Sequence, residues 1–110
     1  METAPLEITA EELSHRLQAG DDLQLVDVRE EMEFDYCHLP GSLLLPLDEV
    51  PHRAAEIRSE GPVVLICHHG IRSAHATAYL RQRLGRSNVL NLRGGVAAWA
   101  ERVDTDFPRY

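Results

Sequence analysis

Residues Val63–Ile66 read Val-Val-Leu-Ile, an unbroken apolar run between Pro62 and Cys67. Side chains along a strand alternate between the two faces of a sheet, so a run without a polar alternate needs cover on both sides. Strands of that kind belong to parallel sheets, whose crossovers place helices on both faces. The run therefore predicts a central, parallel strand.

The rest of the chain supplies the matching parts in alternation. Residues 6–8 predict a short strand. Thr9 and Glu12 have capping-box spacing, and Leu13 and Leu17 give the helix that follows an apolar face up to Gly20. Residues 23–28 predict a second strand, followed by a charged, weakly helical stretch over 29–36. Residues 42–47 read as a short strand closed by Pro46, at an edge or end of the sheet. Residues 48–58 predict a helix that tolerates Pro51 only in its first turn. Beyond the central strand, residues 73–84 predict a helix with Ala76, Tyr79, Leu80 and Leu84 on one face, ended by Gly85. Residues 88–92 predict a strand, 93–95 a turn, and 96–102 a last helix that buries Trp99. The order calls for an α/β fold, a mostly parallel sheet between two layers of helices.

A chain of 110 residues is long enough for one domain with a real core, and a single domain over 1–110 is expected. No apolar run approaches the roughly 20 residues that span a bilayer. The acidic opening lacks the basic-then-apolar layout of a secretory signal, so the expected location is cytoplasmic. A net charge of −7 argues against nucleic acid and anionic membranes as partners. All eleven basic side chains are arginine, so a cationic site must be built from arginine, histidine or backbone N–H.

Ligands of open parallel sheets bind at the carboxyl ends of the strands, where Cys67 stands directly before a helix. The positive end of the helix dipole and its unpaired N–H groups favour a thiolate there. Gly70 permits positive φ, so successive amides can turn inward; Arg72 adds a positive charge and Ser73 can cap the helix. Two other readings stand beside a nucleophile. Cys67 can be a small buried hydrophobe, although His68, His69 and Arg72 beside it are polar. It can also be a metal ligand with His68, His69 and His75, although adjacent residues seldom point at one ion and no second cysteine stands at CxxC spacing. Cys37 precedes the strand near residue 42, toward the amino edge, so it is expected to lie out of disulfide reach of Cys67.

Four stretches, "LVDVRE", "CHLPGS", "VVLICHHGIRSA" and "NVLNLRGGVAAW", occur in an order and spacing that resembles the single-domain rhodanese family over nearly the whole chain. The resemblance implies a three-layer α/β/α rhodanese-like fold whose five-stranded sheet has the order 3-2-4-5-1. It implies a sulfurtransferase in which Cys67 takes a sulfane sulfur as a persulfide and passes it to a thiophilic acceptor, with no cofactor and no metal. His68, His69, Gly70, Ile71, Arg72 and Ser73 would form the substrate-binding loop, and Asp27 and Arg29 would support it. His38 would pack structurally. Four residues separate Cys67 from Arg72, where the related cell-cycle phosphatases and arsenate reductases carry five, so the loop suits one sulfur atom. Thiosulfate-preferring members often have Arg or Lys where His68 stands, which makes a persulfide-carrying protein an equal donor candidate beside a small molecule. Cys37 replaces the usual glycine, and strain is expected there if the position needs positive φ. The alternative is a non-catalytic rhodanese-like module for partner binding or redox sensing, although members without activity generally lose the cysteine.

Overall fold

A computed structural model describes residues 6–110. Residues 1–5, on which part of the expectation about the opening segment rests, lie outside the described residues. In chain order the strands are β1 (Glu7–Ile8), β2 (Gln24–Asp27), β3 (Leu43–Leu44), β4 (Val63–Ile66) and β5 (Val89–Leu92). The α-helices are α1 (Ala10–Gln18), α2 (Glu31–Tyr36), α3 (Val50–Arg53), α4 (Ile71–Leu84) and α5 (Gly95–Arg102). The strands form one sheet in the order β1-β5-β4-β2-β3, which read from the other edge is 3-2-4-5-1. Every pairing is parallel.

β4 is the centre of that order and is buried along its whole length. Val64 and Ile66 point to a core layer shared with Ala10, Leu13, Val96 and Ala100 of α1 and α5. Val63, Leu65 and Cys67 point to the opposite layer, with Val50, Ala76 and Leu80 of α3 and α4. The alternation demanded by an all-apolar strand is thus met by helices on both faces. No helix of the described residues is long and apolar enough to cross a membrane.

The Thr9 cap forms as expected: its hydroxyl accepts from Glu12 N–H at 3.1 Å and the Glu12 carboxylate accepts from Thr9 N–H at 2.8 Å. The stretch expected as one helix over 48–58 is broken into a 3-10 turn (Leu47–Glu49), α3, and a second 3-10 turn (Ala54–Glu56). Pro51 has no N–H to give the Leu47 carbonyl, which instead takes the N–H of Val50 in a tighter turn. α4 begins at Ile71 rather than Ser73, because Gly70 with φ +93° turns the chain into the helix. Ser73 therefore sits inside the first turn and is not the cap. Leu84 and Leu17 are exposed rather than facing the core. A four-residue strand is about 13 Å long, whereas the fourteen residues of α4 extend about 21 Å. Its last turn overhangs the sheet, and Leu17 likewise lies in the last turn of α1, beyond the core that Ala10 and Leu13 reach. Trp99 is half-buried against the α1–α5 layer.

Cys37 is extended, with φ −163°, so it carries no strain from its side chain. Both cysteines are free and buried, and they belong to opposite core layers. Cys37 does not lie toward the amino edge as expected: its carbonyl accepts from Arg29 at 2.6 Å, just past the carboxyl end of β2, so the sheet and not its depth separates the cysteines. Mild oxidation is accordingly expected to leave no intramolecular bridge. A thiol count that falls by two without dimer formation would contradict this placement.

Candidate active site

β4 delivers Cys67 to the carboxyl edge of the sheet, and the chain then circles through His68, His69 and Gly70 into α4. The Cys67 sulfur lies inside this circle, with the residue 1% exposed. It accepts from the N–H of Gly70 at 3.1 Å and of Ser73 at 3.4 Å, and the Ser73 hydroxyl lies 3.3 Å away. Gly70 is needed for space as well as for φ, since a Cβ there would come within 3.0 Å of Gly94 N and 3.2 Å of Leu92 O.

Amides that turn inward leave their carbonyls pointing out, and these need donors. The first turn of α5 supplies them: Val96 N–H donates to Cys67 O at 2.9 Å and Ala97 N–H to His68 O at 3.0 Å. These N–H groups have no partner within their own helix. The approach is close enough that a Cβ on Gly95, whose φ is +60°, would overlap both carbonyl oxygens. One helix thus points its N-terminus at the sulfur while a second holds the loop that bends around it.

Ser73 has one hydroxyl proton, and both Asn91 Oδ1 and the Cys67 sulfur lie within its reach as acceptors. The orientation of Asn91 is set by its amide, which donates to Gly70 O and to Glu7 Oε2, each at 3.2 Å. The hydroxyl serves one of the two at a time, and must rotate away from Asn91 to donate to the sulfur.

Arg72 does not point at the sulfur. Its guanidinium grips the Glu33 carboxylate of α2 at 2.7 and 3.0 Å. That grip, with further hydrogen bonds from Glu30 N–H and Tyr110 and against the opposing effect of burial, lowers the Glu33 carboxyl to about 2. Arg29, fully buried, chelates Asp27 through Nε and Nη2, at 2.8 Å for the shortest bond, and donates to the Cys37 carbonyl and the Tyr110 hydroxyl. Burial works against its charge, but the hydrogen bonds to Asp27 and Tyr110 outweigh it and raise the guanidinium further. Asp27 and Arg29 make no direct bond to the loop. They reach it through Tyr110, whose ring stacks on His68 with centroids 3.9 Å apart. His68 is held below its ordinary value by burial and by the charges of His69, Arg29 and Arg72, with Glu33 opposing.

The expected loop residues are thus brought together unevenly. Gly70 and Ser73 touch the sulfur; His68 and His69 stack on each other at the mouth; Ile71 is exposed on the rim. His38 packs its ring on Phe34 and shares a 2.7 Å hydrogen bond with the Phe34 carbonyl. The set Cys67, His68, His69 and His75 does not assemble as a metal site, and no three His, Cys, Asp or Glu side chains gather to hold an ion among the described residues. Glu33, Asn91, Gly95 and Tyr110 escaped the sequence reading. Asn91 alone carried a legible signal, as a polar residue inside an apolar strand that must find partners when buried.

The Glu33–Arg72 pair makes stability depend on pH. A carboxyl lowered in the folded state contributes stability above its unfolded value, and that contribution is lost as pH falls through the folded value. The wild-type protein should therefore exceed Glu33→Gln in stability near neutrality, and the gap should close between pH 4.5 and about 2. Urea midpoints for both proteins across that range check it; a gap that is constant with pH would contradict the pairing.

Comparison with known proteins places this geometry in a family. The Rhodanese-like domain model matches residues 9–102. A "Sulfurtransferase" of Allochromatium vinosum is 46% identical over 94 residues, covering 86% of this chain and 87% of that protein. The probable adenylyltransferase/sulfurtransferase MoeZ of Mycobacterium tuberculosis is 36% identical over 94% of this chain, which spans only 26% of that longer protein. Among solved structures, a rhodanese-like domain protein from Staphylococcus aureus superposes with a TM-score of 0.81 at 28% identity, covering 96% of this chain and 98% of that one. The chain belongs to the rhodanese-like domain family, in the company of proteins named for sulfur transfer.

Proposed function

We propose that this protein is a single-domain sulfurtransferase that moves a sulfane sulfur from a donor to a thiophilic acceptor as a persulfide on Cys67. The observation that carries the reading is the Cys67 sulfur at the N-terminus of α4, within reach of the Gly70 and Ser73 N–H groups. In the first half-reaction the thiolate attacks the outer sulfur of the donor. A bond forms between the two sulfurs, the donor's own sulfur bond breaks, and the leaving group (sulfite, when thiosulfate is the donor) departs with the electron pair. In the second, an acceptor such as cyanide attacks the outer sulfur of the persulfide, and Cys67 leaves as thiolate. The inward amides stabilise the anion at the start and end of this cycle without reorganising. The four-residue span from Cys67 to Arg72 supports transfer of one sulfur atom over phosphate or arsenate chemistry. The scheme needs no cofactor and is suited to a cytoplasmic location, where thiols remain reduced.

The charges around the site bear on the donor. Both guanidinium groups near Cys67 are already paired, Arg29 with Asp27 and Arg72 with Glu33, and His68 is held toward its neutral form. A dianion such as thiosulfate finds no unpaired permanent cation in that set. A persulfide carried by a protein or a small thiol brings less charge and fits better.

Incubation of the protein with thiosulfate should add the mass of one sulfur atom, removable by cyanide. The adduct and the thiosulfate:cyanide activity should vanish in Cys67→Ser and largely survive in Cys37→Ser. Equal loss in both variants would contradict the assignment. His68→Arg should lower KM for thiosulfate, because a permanent charge replaces a neutral ring. An unchanged or higher KM in a folded variant would remove the residue after the cysteine from sulfonate recognition.

A further inference from the structure

The family match ends at residue 102, and the chain beyond it returns to the loop where Tyr110 stacks on His68. The N–H groups of Val103 and Asp104 both donate to Trp99 O at 2.9 Å, which ends α5, and Phe107 is buried against the core layer of α1 and α5. Beyond Phe107, residues 108–110 make no backbone–backbone hydrogen bond. Side chains alone hold them: Arg109 donates to the Ala100 carbonyl at 3.2 Å, and Tyr110 reaches into the site.

Tyr110 contacts His68, Tyr36, Arg29 and Glu33. Its ring lies face to face on His68, 3.9 Å away with planes 7° apart, and Tyr36 of α2 packs edge-on against it at 5.9 Å. Its hydroxyl accepts from Arg29 Nη1 and donates to Glu33 Oε2 at 3.0 Å. The phenol keeps the proton for that second bond, since burial and the Glu33 charge push it up to about 12 against the pull of Arg29. One side chain thus ties the buried Asp27–Arg29 pair, the Glu33–Arg72 pair and the residue next to the cysteine.

A donor sulfur must come within about 3–3.5 Å of the Cys67 sulfur, in line with the bond that breaks. Cys67 is 1% exposed, and the loop amides occupy its inner side. Next to the loop stand His68, the Glu33–Arg72 pair and Tyr110, joined to one another by the Tyr110 stack and hydrogen bond. The His68 carbonyl is pinned by α5, and Glu33 and Arg72 hold each other through two bonds. Tyr110 is the member of this group that rides on a segment without backbone hydrogen bonds.

The geometry points to Tyr110 as the specificity-determining residue of this sulfurtransferase: closed on His68, it screens Cys67 from bulky partners, and its displacement admits them. Small donors pass with less movement of the ring. A protein-borne persulfide or thiol must displace it, and pairs its own contacts with the exposed rim residues Ile71 and Tyr36 in exchange. The assignment deepens the proposed function and rests on Cys67 being the sulfur carrier, but the screening itself is measurable on the thiol alone.

The test compares alkylation of Cys67 by iodoacetamide and by a maleimide bearing a polyethylene glycol chain, in a Cys37→Ser background. Tyr110→Ala should raise the maleimide rate on the order of ten-fold, the combined effect of one aromatic stack and two hydrogen bonds partly offset by solvent. The iodoacetamide rate should rise by a clearly smaller factor. Tyr110→Phe, which keeps the stack and loses both hydrogen bonds, should fall between wild type and Tyr110→Ala. An unchanged thermal midpoint shows that the fold is retained; if Tyr110→Ala lowers it, Tyr110→Phe decides. Equal factors for the two reagents, or no change in either, overturn the proposal. Because alkylation requires only a thiol, a protein that never acquires sulfur from thiosulfate would still give a readable ratio, so failure of the gate and failure of sulfur transfer are separate results.

Discussion

An anion-binding loop must point its amides inward, and its carbonyls then have to be satisfied from outside. Here the pairing of Cys67 O and His68 O with the first free N–H groups of α5 meets that requirement. Much of the architecture around the site serves it. α5 has to begin within van der Waals contact of the loop, which requires glycine at position 95, and β5 has to lie beside β4 so that its end launches α5 at that point. Gly70 packs on Gly94 and Leu92 from the other side. The loop is therefore a joint between two helix N-termini, one donating to the sulfur and one to the loop's carbonyls. Flexibility in either helix would move the sulfur relative to its donors.

Charge at the site is organised by the same economy of free groups. The chain's cations are all arginines, whose planar fork suits bidentate partners. Arg29 uses Nε, Nη1 and Nη2 on Asp27, Tyr110 and the Cys37 carbonyl, and Arg72 spans both oxygens of Glu33. A buried ion pair is weak evidence for stability, because desolvation offsets most of the attraction. Position is the clearer gain. Arg29 fixes where residues 37–38 turn toward β3, and Arg72 clamps the start of α4 to α2.

The fold was legible from one strand outward. An all-apolar Val63–Ile66 requires cover on both faces, and the alternating elements around it leave few other arrangements than the parallel sheet observed. The loop was legible because cysteine, glycine and arginine lie within a few residues of one another. Its partners were not. Glu33 sits in the run Glu30-Glu31-Met32-Glu33, where nothing distinguishes the one carboxylate that faces Arg72 from those that face water. Asp27 and Arg29 read as supports of the loop, but the connection passes through Tyr110, remote in sequence and on a segment without periodicity. Helix ends failed for a different reason. Leu17 and Leu84 continue an apolar pattern past the depth of a shallow sheet, and a pattern does not record where the core stops.

Ser73 and Asn91 together set how many donors the Cys67 sulfur can have. With the Asn91 amide committed to Gly70 O and Glu7, its oxygen can only accept, and it competes with the sulfur for the single Ser73 proton. The sulfur has two backbone donors, and a hydroxyl that must give up its other partner to become a third. The rotation of one buried hydroxyl therefore decides whether two donors or three hold the sulfur, and Asn91 sets the side to which that balance tips.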